Sequence, residues 1–179
     1  MKEFAAEHKD AKVIRGMGWD RFWFSGNLQG LQYNFTKKDI DKVISDKPVV
    51  VDGFDGHITM LNSKALELAN IDSFDDPGNL IERDENNEAT GIIKEPVMMT
   101  PVCNAIPGYA FKLDEIRDGL KIAQKVFAER GYTYLSDCLQ PESSYKIIKE
   151  MAEKDELTVR IDGVFNCNNK TMEAVTFLS

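Results

Sequence analysis

The C-terminal third of the sequence carries the pattern that most restricts how the chain can fold. Apolar residues recur at helical spacing from Leu113 to Phe127, and Gly131 stands where a glycine commonly ends a helix. An apolar strand over residues 132–138 follows, then an amphipathic helix over 141–154 and a second strand over 157–165. Neighbouring strands that are joined through a helix usually pair in parallel, because parallel strands need a long crossover connection. A hairpin between antiparallel strands needs only a few residues. The sequence therefore predicts a βαβ unit and an α/β fold class.

A βαβ unit with two strands leaves the edges of its sheet unpaired and its faces uncovered. We therefore expect residues 101–179 to be part of a larger parallel architecture that receives strands from elsewhere. Residues 170–179 begin like a further helix and stop without a cap or a glycine, which agrees with this expectation. An open sheet edge, together with the aromatic residues within 19–24, also gives the chain a reason to form a homo-oligomer.

Residues 1–100 carry shorter helix and strand patterns, which predict a mixed α+β segment. The predicted elements are a short helix within residues 1–15, a turn at 16–18, a helix over 37–45, a strand over 48–52, a helix over 63–70 and a hairpin over 75–95. Three prolines and Gly108 mark residues 96–112 as a connector. The expected organisation is an α+β segment, residues 1–100, followed by the βαβ segment, residues 101–179.

Composition narrows the classes of partner. The net charge is −8 and the 22 basic residues are dispersed, so a nucleic acid is not an expected partner. No apolar run approaches the roughly 20 residues of a membrane span, and the first residues include charges where a secretory leader is apolar. We therefore expect a cytoplasmic protein that does not bind membranes.

The histidine and cysteine counts limit the metal chemistry of the chain. There are two histidines and three cysteines, and Cys103, Cys138 and Cys167 lie far apart and outside any Cys-x-x-Cys spacing. Neither a disulfide framework nor a structural zinc site is expected, and the histidines are too few for a complete catalytic metal centre. We assign no metal ligand in this chain. A nucleophilic pair of Cys103 or Cys138 with His57 stays open, although no local pattern favours it.

His57 is the most chemically suggestive residue. It ends the segment Asp52-Gly53-Phe54-Asp55-Gly56-His57, in which glycines free the backbone and carboxylates can orient or charge an imidazole. Such a histidine could bind a carboxylate or carbonyl of a substrate. The alternative, which the residues alone favour, is a structural histidine bonded to the backbone of its own turn.

Three further polar residues stand at the ends of predicted elements. Glu95 follows the apolar run 91–93, where it is either a base or ligand at a strand end or a surface glutamate. Asn62 precedes the helix over 63–70, where a helix cap is favoured over a ligand contact. Asp137 falls at the C-terminal end of the strand over 132–138, the end at which parallel sheets place active sites, although a turn cap is equally compatible.

The chain closely resembles amidohydrolase family 3, the group that includes YtcJ-like hydrolases and N-substituted formamide deformylases. The most specific match is the segment Asp55-Gly56-His57-Ile58-Thr59-Met60-Leu61-Asn62-Ser63-Lys64-Ala65-Leu66. Weaker elements follow the order of the family over nearly the whole chain: Gly16-Met17-Gly18-Trp19-Asp20, Pro48-Val49-Val50, Asp76-Pro77-Gly78, Gly91-Ile92-Ile93-Lys94-Glu95, and Gly131-Tyr132-Thr133 with Asp137.

The resemblance implies a metal-dependent hydrolase with a TIM-like barrel, in which a divalent metal, usually zinc, activates water to attack an amide or related C–N bond. The His-x-His pair, the further histidines and the aspartate of such sites find no match here. The metal is therefore expected in the full-length protein and not in this chain. Residues 1–100 then correspond to an inserted or cap segment, and residues 101–179 to part of the barrel.

The resemblance also implies roles for single residues. Glu95 is the candidate catalytic residue, and the candidate substrate contacts are His57, Asp55, Asn62, Asp137 and Trp19. The predicted function is a fragment of an amidohydrolase for small molecules with amide or other non-peptide C–N bonds, inactive by itself. A non-catalytic small-molecule binding or interaction module is the alternative.

Overall fold

The computed structural model describes residues 1–20, 35–140 and 142–165. The chain divides into two units, Met1–Ala110 and Phe111–Ser179. Two predicted features lie outside the described residues, namely the aromatic residues Phe22, Trp23 and Phe24 and the helix expected within residues 170–179.

The first unit is built on a five-stranded sheet flanked by short helices. Its elements are α1 (Lys2–Glu7), β1 (Ile14–Trp19), α2 (Lys37–Asp41), β2 (Val49–Gly53), β3 (Ile58–Leu61), α3 (Ser63–Ala69), a 3-10 turn (Ile71–Ser73), β4 (Ile81–Arg83), β5 (Ala89–Lys94) and α4 (Pro96–Ala105). The strand order is β1-β2-β3-β5-β4, with β1 parallel to β2 and the other neighbours antiparallel. The hairpin predicted within residues 75–95 is confirmed as the β4–β5 pair.

Both faces of this sheet are covered, because successive side chains of a strand point to opposite sides. The core on one face includes Val50, Leu61, Leu66, Ile93 and Val102, which brings α3 and α4 against the sheet. The core on the other face includes Ile14, Val49, Met60 and Ile92 with Ile40 and Ile44. The loops at the ends of its strands therefore extend from a sheet that is packed on both faces.

One row of paired residues crosses the sheet near its end. Met17 pairs with Asp52, Asp52 with Thr59, and Thr59 with Ile93. Residues directly opposite one another in a sheet share a face, and Ile93 belongs to the core with α4. Met17, Asp52 and Thr59 are therefore on the α4 side.

The turn predicted at residues 16–18 is wrong, because these residues lie within β1. Ile14 pairs with Val49 and Gly16 with Val51 in the parallel ladder. Gly18 has φ +90° and lies at a register shift between Met17 and Trp19. A glycine at a bulge bends a strand without ending it, and the pattern of two glycines around one methionine does not distinguish the two cases.

The connector predicted at residues 96–112 is also wrong over much of its length, since Pro96–Ala105 forms α4. Pro96 occupies the start of the helix, where a missing N–H costs no hydrogen bond. Pro101 lies inside the helix, and the burial of Met98, Val102 and Cys103 holds the helix against that interruption. Proline content alone therefore overstates the break in structure.

The remaining predictions for this unit differ from the structure mainly at element ends. The helices predicted over 37–45 and 63–70 are Lys37–Asp41 and Ser63–Ala69, and the strand predicted over 48–52 is Val49–Gly53. No sequence pattern predicts β3, a short run between the His57 turn and the Asn62 cap.

The second unit contains α5 (Leu113–Glu129), β6 (Tyr134–Gln140), α6 (Glu142–Glu153) and β7 (Arg160–Phe165). β6 and β7 pair in parallel, which confirms the βαβ unit and the α/β fold class. Gln124 of α5 is buried, donates from Nε2 to the Glu156 carbonyl oxygen at 3.0 Å and accepts the Thr158 N–H at 2.8 Å. In the parts of the chain that the structure describes, no helix has both the length and the apolar character that crossing a membrane requires.

Candidate active site

A tight turn between β2 and β3 presents His57. Gly56 adopts φ +73°, which residues with side chains rarely take, and its N–H donates to the Gly53 carbonyl oxygen at 3.2 Å. A Cβ on Gly53 would lie 2.7 Å from Ile58 Cγ1, so no larger residue fits there without a shift. The Asp55 carboxylate accepts the His57 backbone N–H at 3.0 Å. The glycines and the aspartate therefore shape the turn.

Glu95 contacts His57 through both its backbone and its side chain. Its N–H donates to the His57 carbonyl oxygen at 2.7 Å, and its Oε2 lies 3.0 Å from His57 Nδ1. The pairing of Ile58 with Lys94 in the β3–β5 ladder places the two residues side by side. The sequence marks both residues as candidates, but no local pattern predicts that they form a pair.

The backbone of Glu95 is strained at this position. It has φ +60° and ψ 137° immediately before α4, and such a conformation costs a residue with a side chain roughly 1–3 kcal/mol. Three hydrogen bonds oppose the strain. The Glu95 N–H donates to the His57 carbonyl oxygen, and the N–H groups of Met98 and Met99 donate to the Glu95 carbonyl oxygen at 3.0 and 2.9 Å. Local strain that the surroundings maintain is typical of functional sites.

The pair favours a charged histidine. The hydrogen bond to Glu95 and the negative charge of Glu95 raise the pKa of His57 against the opposing effect of burial, and Asp55 adds a smaller contribution in the same direction as Glu95. The two side chains are 62% and 50% exposed, so a ligand can reach them. A charged imidazole can donate a hydrogen bond to a carbonyl or carboxylate oxygen of a ligand.

Replacing Glu95 with glutamine is expected to lower the pKa of His57, because the amide removes the negative charge that favours the imidazolium. The ion pair is complete below the raised pKa and is lost as pH rises through it. NMR titration of the His57 ring signals measures the change in pKa. The His8→Gln variant, which lacks the other histidine, identifies which signals belong to His57. Glu67→Gln, at a surface glutamate of α3, is the control and should leave the titration as it is. An identical titration in Glu95→Gln would show that Glu95 does not set the charge of His57.

Asn62 is fully buried, and the framework uses its side chain. Oδ1 accepts the N–H groups of Val49 at 2.9 Å and Ala65 at 3.0 Å. Nδ2 donates to the carbonyl oxygens of Ile44 at 3.0 Å and Lys47 at 2.9 Å. The bond to Ala65 is the helix cap that the sequence favours. Asn62 is therefore a framework residue and is not among the substrate contacts that we propose.

Trp19 and Asp137, the two remaining candidates, occupy strands. Trp19 ends β1, is 6% exposed and packs on Phe35 with 6.2 Å between ring centroids. Its carbonyl oxygen accepts the Phe54 N–H at 2.9 Å, so it supports the start of the His57 turn. Asp137 belongs to the second unit and pairs with Gly163. Because β6 continues to Gln140, the prediction that Asp137 ends its strand is wrong.

A cavity of about 440 Å³ adjoins the His57 turn. Its lining includes Met17, Asp52, Phe54, Asp55, Met99 and Tyr109, from the ends of β1 and β2, the turn, and the α4 region. Asp52 is not among the candidate site residues predicted from the sequence. The sequence pattern that could have identified Asp52 is the alternation along β2. It puts Asp52 on the same face of the sheet as the buried Val50.

Cys103 is a buried thiol in the wall of this cavity. Burial, followed by the charge of Asp52, raises its pKa to about 12. A thiol with such a pKa is protonated at neutral pH and is a poor nucleophile. This finding argues against the nucleophilic pair of Cys103 with His57. The structure does not test the other alternative, a pair of Cys138 with His57.

The residues of the candidate site do not by themselves fit a metal ion. In residues 1–20, 35–140 and 142–165, no three or more His, Cys, Asp or Glu side chains are grouped so that they could hold one. His57 Nδ1 is engaged by Glu95, and one Asp55 oxygen accepts a backbone N–H. The metal implied by the family resemblance would need ligands beyond these residues.

Comparisons with known proteins agree with the resemblance seen in the sequence. The chain is 30% identical over 141 residues to Protein LONG AFTER FAR-RED 3 of Arabidopsis thaliana, a match that covers 76% of this chain and 22% of that protein. Two crystal structures of uncharacterized metal-dependent hydrolases share the fold over 99% of this chain. The one from Pyrococcus horikoshii OT3 has a TM-score of 0.58 and 20% identity, and the one from Pyrococcus furiosus has 0.57 and 19%.

The chain spans about a third of each solved structure, 33% and 34% of their lengths. The sequence profile of the amidohydrolase family matches residues 1–177, which is nearly the whole chain. With the Asp-Gly-His turn and the Asn62 cap in place, the chain belongs to the amidohydrolase family.

Proposed function

We propose that this chain is the substrate-contacting segment of a longer, metal-dependent amidohydrolase of the YtcJ-like group, which cleaves amide or other non-peptide C–N bonds in small molecules. The observation that carries the proposal is the exposed His57–Glu95 pair at the specific family motif. Family membership over residues 1–177 supports the same reaction class.

His57 is the residue we assign to substrate contact. Its Nε2 is the ring nitrogen that Glu95 does not engage, and in the charged form it donates a hydrogen bond to a carbonyl or carboxylate oxygen of the substrate. Glu95 keeps the imidazole charged and oriented, and Asp55 fixes the turn. In the full-length protein a divalent metal, which we take to be zinc, would supply activated water for hydrolysis.

We extend the proposal to the rest of the chain. The segment predicted as residues 1–100 serves as a cap segment of the full-length protein, and the segment predicted as residues 101–179 contributes part of a TIM-like barrel. Because α4 belongs to the first unit, the structure divides these segments after Ala110. Asp137 is proposed as a substrate contact of the second unit. The proposed substrate is a small molecule, and neither nucleic acid nor membrane is a proposed partner. A cytoplasmic location and a homo-oligomer complete the proposal.

The test uses the full-length protein that contains this chain, assayed with and without added divalent metal on a panel of N-acyl amides. We expect metal-dependent hydrolysis, and we expect His57→Gln to raise KM by about tenfold with kcat nearly unchanged, because a contact made equally in the bound and transition states has been removed. His8→Gln, at the exposed histidine of the N-terminal region, is the matched control and should behave as the unchanged protein. Residues 1–179 alone should show no turnover.

Two outcomes would contradict this proposal. If the metal-loaded full-length protein hydrolyses no member of the panel, the non-catalytic binding module becomes the better reading. The observation behind that alternative is that no three or more His, Cys, Asp or Glu side chains of the described residues are grouped so that they could hold a metal ion. If His57→Gln lowers kcat and leaves KM unchanged, His57 acts in the chemical step and is not a simple substrate contact.

A further inference from the structure

We propose that the cavity beside the His57 turn binds the remote end of the substrate and that this end is an apolar group carrying a positive charge, an organic ammonium ion. The inference rests on the proposed function in assigning the ligand to the substrate. The cavity itself, about 440 Å³, is of the size that small-molecule sites commonly have.

Asp52 is the polar group on which the inference depends. It is half-buried on the α4 side of β2, and Thr59, which is fully buried, donates from Oγ1 to its Oδ1 at 2.8 Å. No described residue donates a hydrogen bond to Asp52 Oδ2. A half-buried carboxylate in a cavity wall, with one oxygen that no described residue engages, can bind a cationic donor.

The charges of the lining have one sign. Asp52 and Asp55 line the cavity, and the described residues of its lining include no lysine, arginine or histidine. Burial raises the pKa values of Cys103 and Tyr109 to about 12, so neither adds a negative charge at neutral pH. Arg15 lies against the Tyr109 ring, 4.1 Å from its centroid, and is not a lining residue. The charge of Asp52 acts on Cys103 and Tyr109 more strongly than the charge of Arg15 does, so the charges around the cavity favour a cation over a neutral or anionic ligand.

The rim supplies the apolar part of the site. Met17 is 85% exposed and Phe54 is 69% exposed, although both belong to or adjoin sheet strands. With Met99 they place two thioethers and one aromatic ring around the carboxylates. Methionine side chains adapt to ligands of varied shape, and an aromatic face attracts a cation. Exposed apolar side chains at a cavity with convergent polar groups indicate a ligand site.

The test is binding of three probes with similar apolar parts to residues 1–179: 2-phenylethylammonium, 2-phenylethanol and 3-phenylpropanoate. Methyl NMR of labelled methionines reports the site, because Met17 and Met99 are in the lining. We expect the ammonium ion to shift these two signals saturably and to bind about tenfold more tightly than the alcohol. The carboxylate should not bind. No saturable shift of either signal with the ammonium ion would overturn the proposal, as would equal affinity for the alcohol.

Asp52→Asn separates charge from shape, because the amide still accepts the Thr59 hydrogen bond. We expect this variant to bind the ammonium ion about tenfold more weakly, with its affinity for the alcohol unchanged. Asp75→Asn removes an exposed carboxylate outside the cavity and should bind as the unchanged protein does. If Asp52→Asn does not fold, the probe series on the unchanged chain decides. Since these measurements need no hydrolysis, their failure is distinct from failure of the proposed function.

Discussion

Replacing Asn62 with alanine is expected to lower the free energy of unfolding by about 3–5 kcal/mol. The side chain is fully buried and makes four hydrogen bonds to the backbone. Alanine would leave two N–H groups and two carbonyl groups without these partners and would remove the cap of α3. The bonds also tie α3 to the start of β2 and to the segment before it, so the loss is felt at several elements together.

Urea unfolding followed by tryptophan fluorescence measures this change. Trp19 is buried against the sheet of the unit that contains Asn62, so its fluorescence reports on that unit. The matched control is Asn86→Ala, an exposed asparagine in the β4–β5 turn, which should change stability by no more than about 0.5 kcal/mol. A loss below about 1 kcal/mol for Asn62→Ala would mean that the buried backbone groups find other partners.

Asn62 and His57 show how far the roles of motif residues can be predicted from the sequence. Asn62 and His57 belong to one family segment, and the structure gives them different environments: one is buried and bonded to backbone, the other is exposed. Sequence analysis favours the cap for Asn62 because helix caps have a local pattern. For His57 the residues alone favour a structural role. Its exposure in the structure depends on the packing around the turn, which no local sequence pattern records.

Elements with strong local periodicity or turn chemistry were predictable, namely the βαβ unit, the β4–β5 hairpin and α3. The elements that local patterns miss depend on distant partners. β1 is a strand because residues 14–19 pair with β2, and its glycines at a bulge look like a turn in isolation. α4 is a helix because its buried residues pack on the sheet despite Pro101.

The contact between His57 and Glu95 could not be predicted for the same reason. It depends on the register that pairs Ile58 with Lys94 and on the positive φ of Glu95. Register is set by the burial of a whole strand face, and a positive φ outside glycine is set by surrounding contacts. The same holds for Asp52. Its place in the cavity follows from the strand register that pairs it with Met17 and Thr59.

Gly91→Ala is expected to destabilise the first unit by about 3 kcal/mol or more. Gly91 has φ +107°, and a Cβ there would lie 2.4 Å from the Leu61 carbonyl oxygen and 2.9 Å from Met60 Sδ. The β4–β5 pairing shifts register between Ile81 and Arg83, whose partners on β5 lie on either side of Gly91. Alanine would therefore add backbone strain and push β5 away from β3. Glu95 directly follows β5, so the His57–Glu95 distance should also change.

A second glycine-to-alanine exchange tests whether steric fit at Gly91, and not glycine content in general, sets the effect. Gly119 is exposed inside α5, and a Cβ there would meet no atom within 4 Å. Gly119→Ala should stabilise its helix by about 0.5–1 kcal/mol, because alanine loses less conformational entropy on folding. Urea unfolding followed by circular dichroism for both variants, with tryptophan fluorescence for Gly91→Ala, should give shifts of opposite sign. If Gly91→Ala leaves the free energy of unfolding unchanged, β3 and β5 can move apart without loss of stability. The β3–β5 pair would then not fix the register that holds Glu95 against His57.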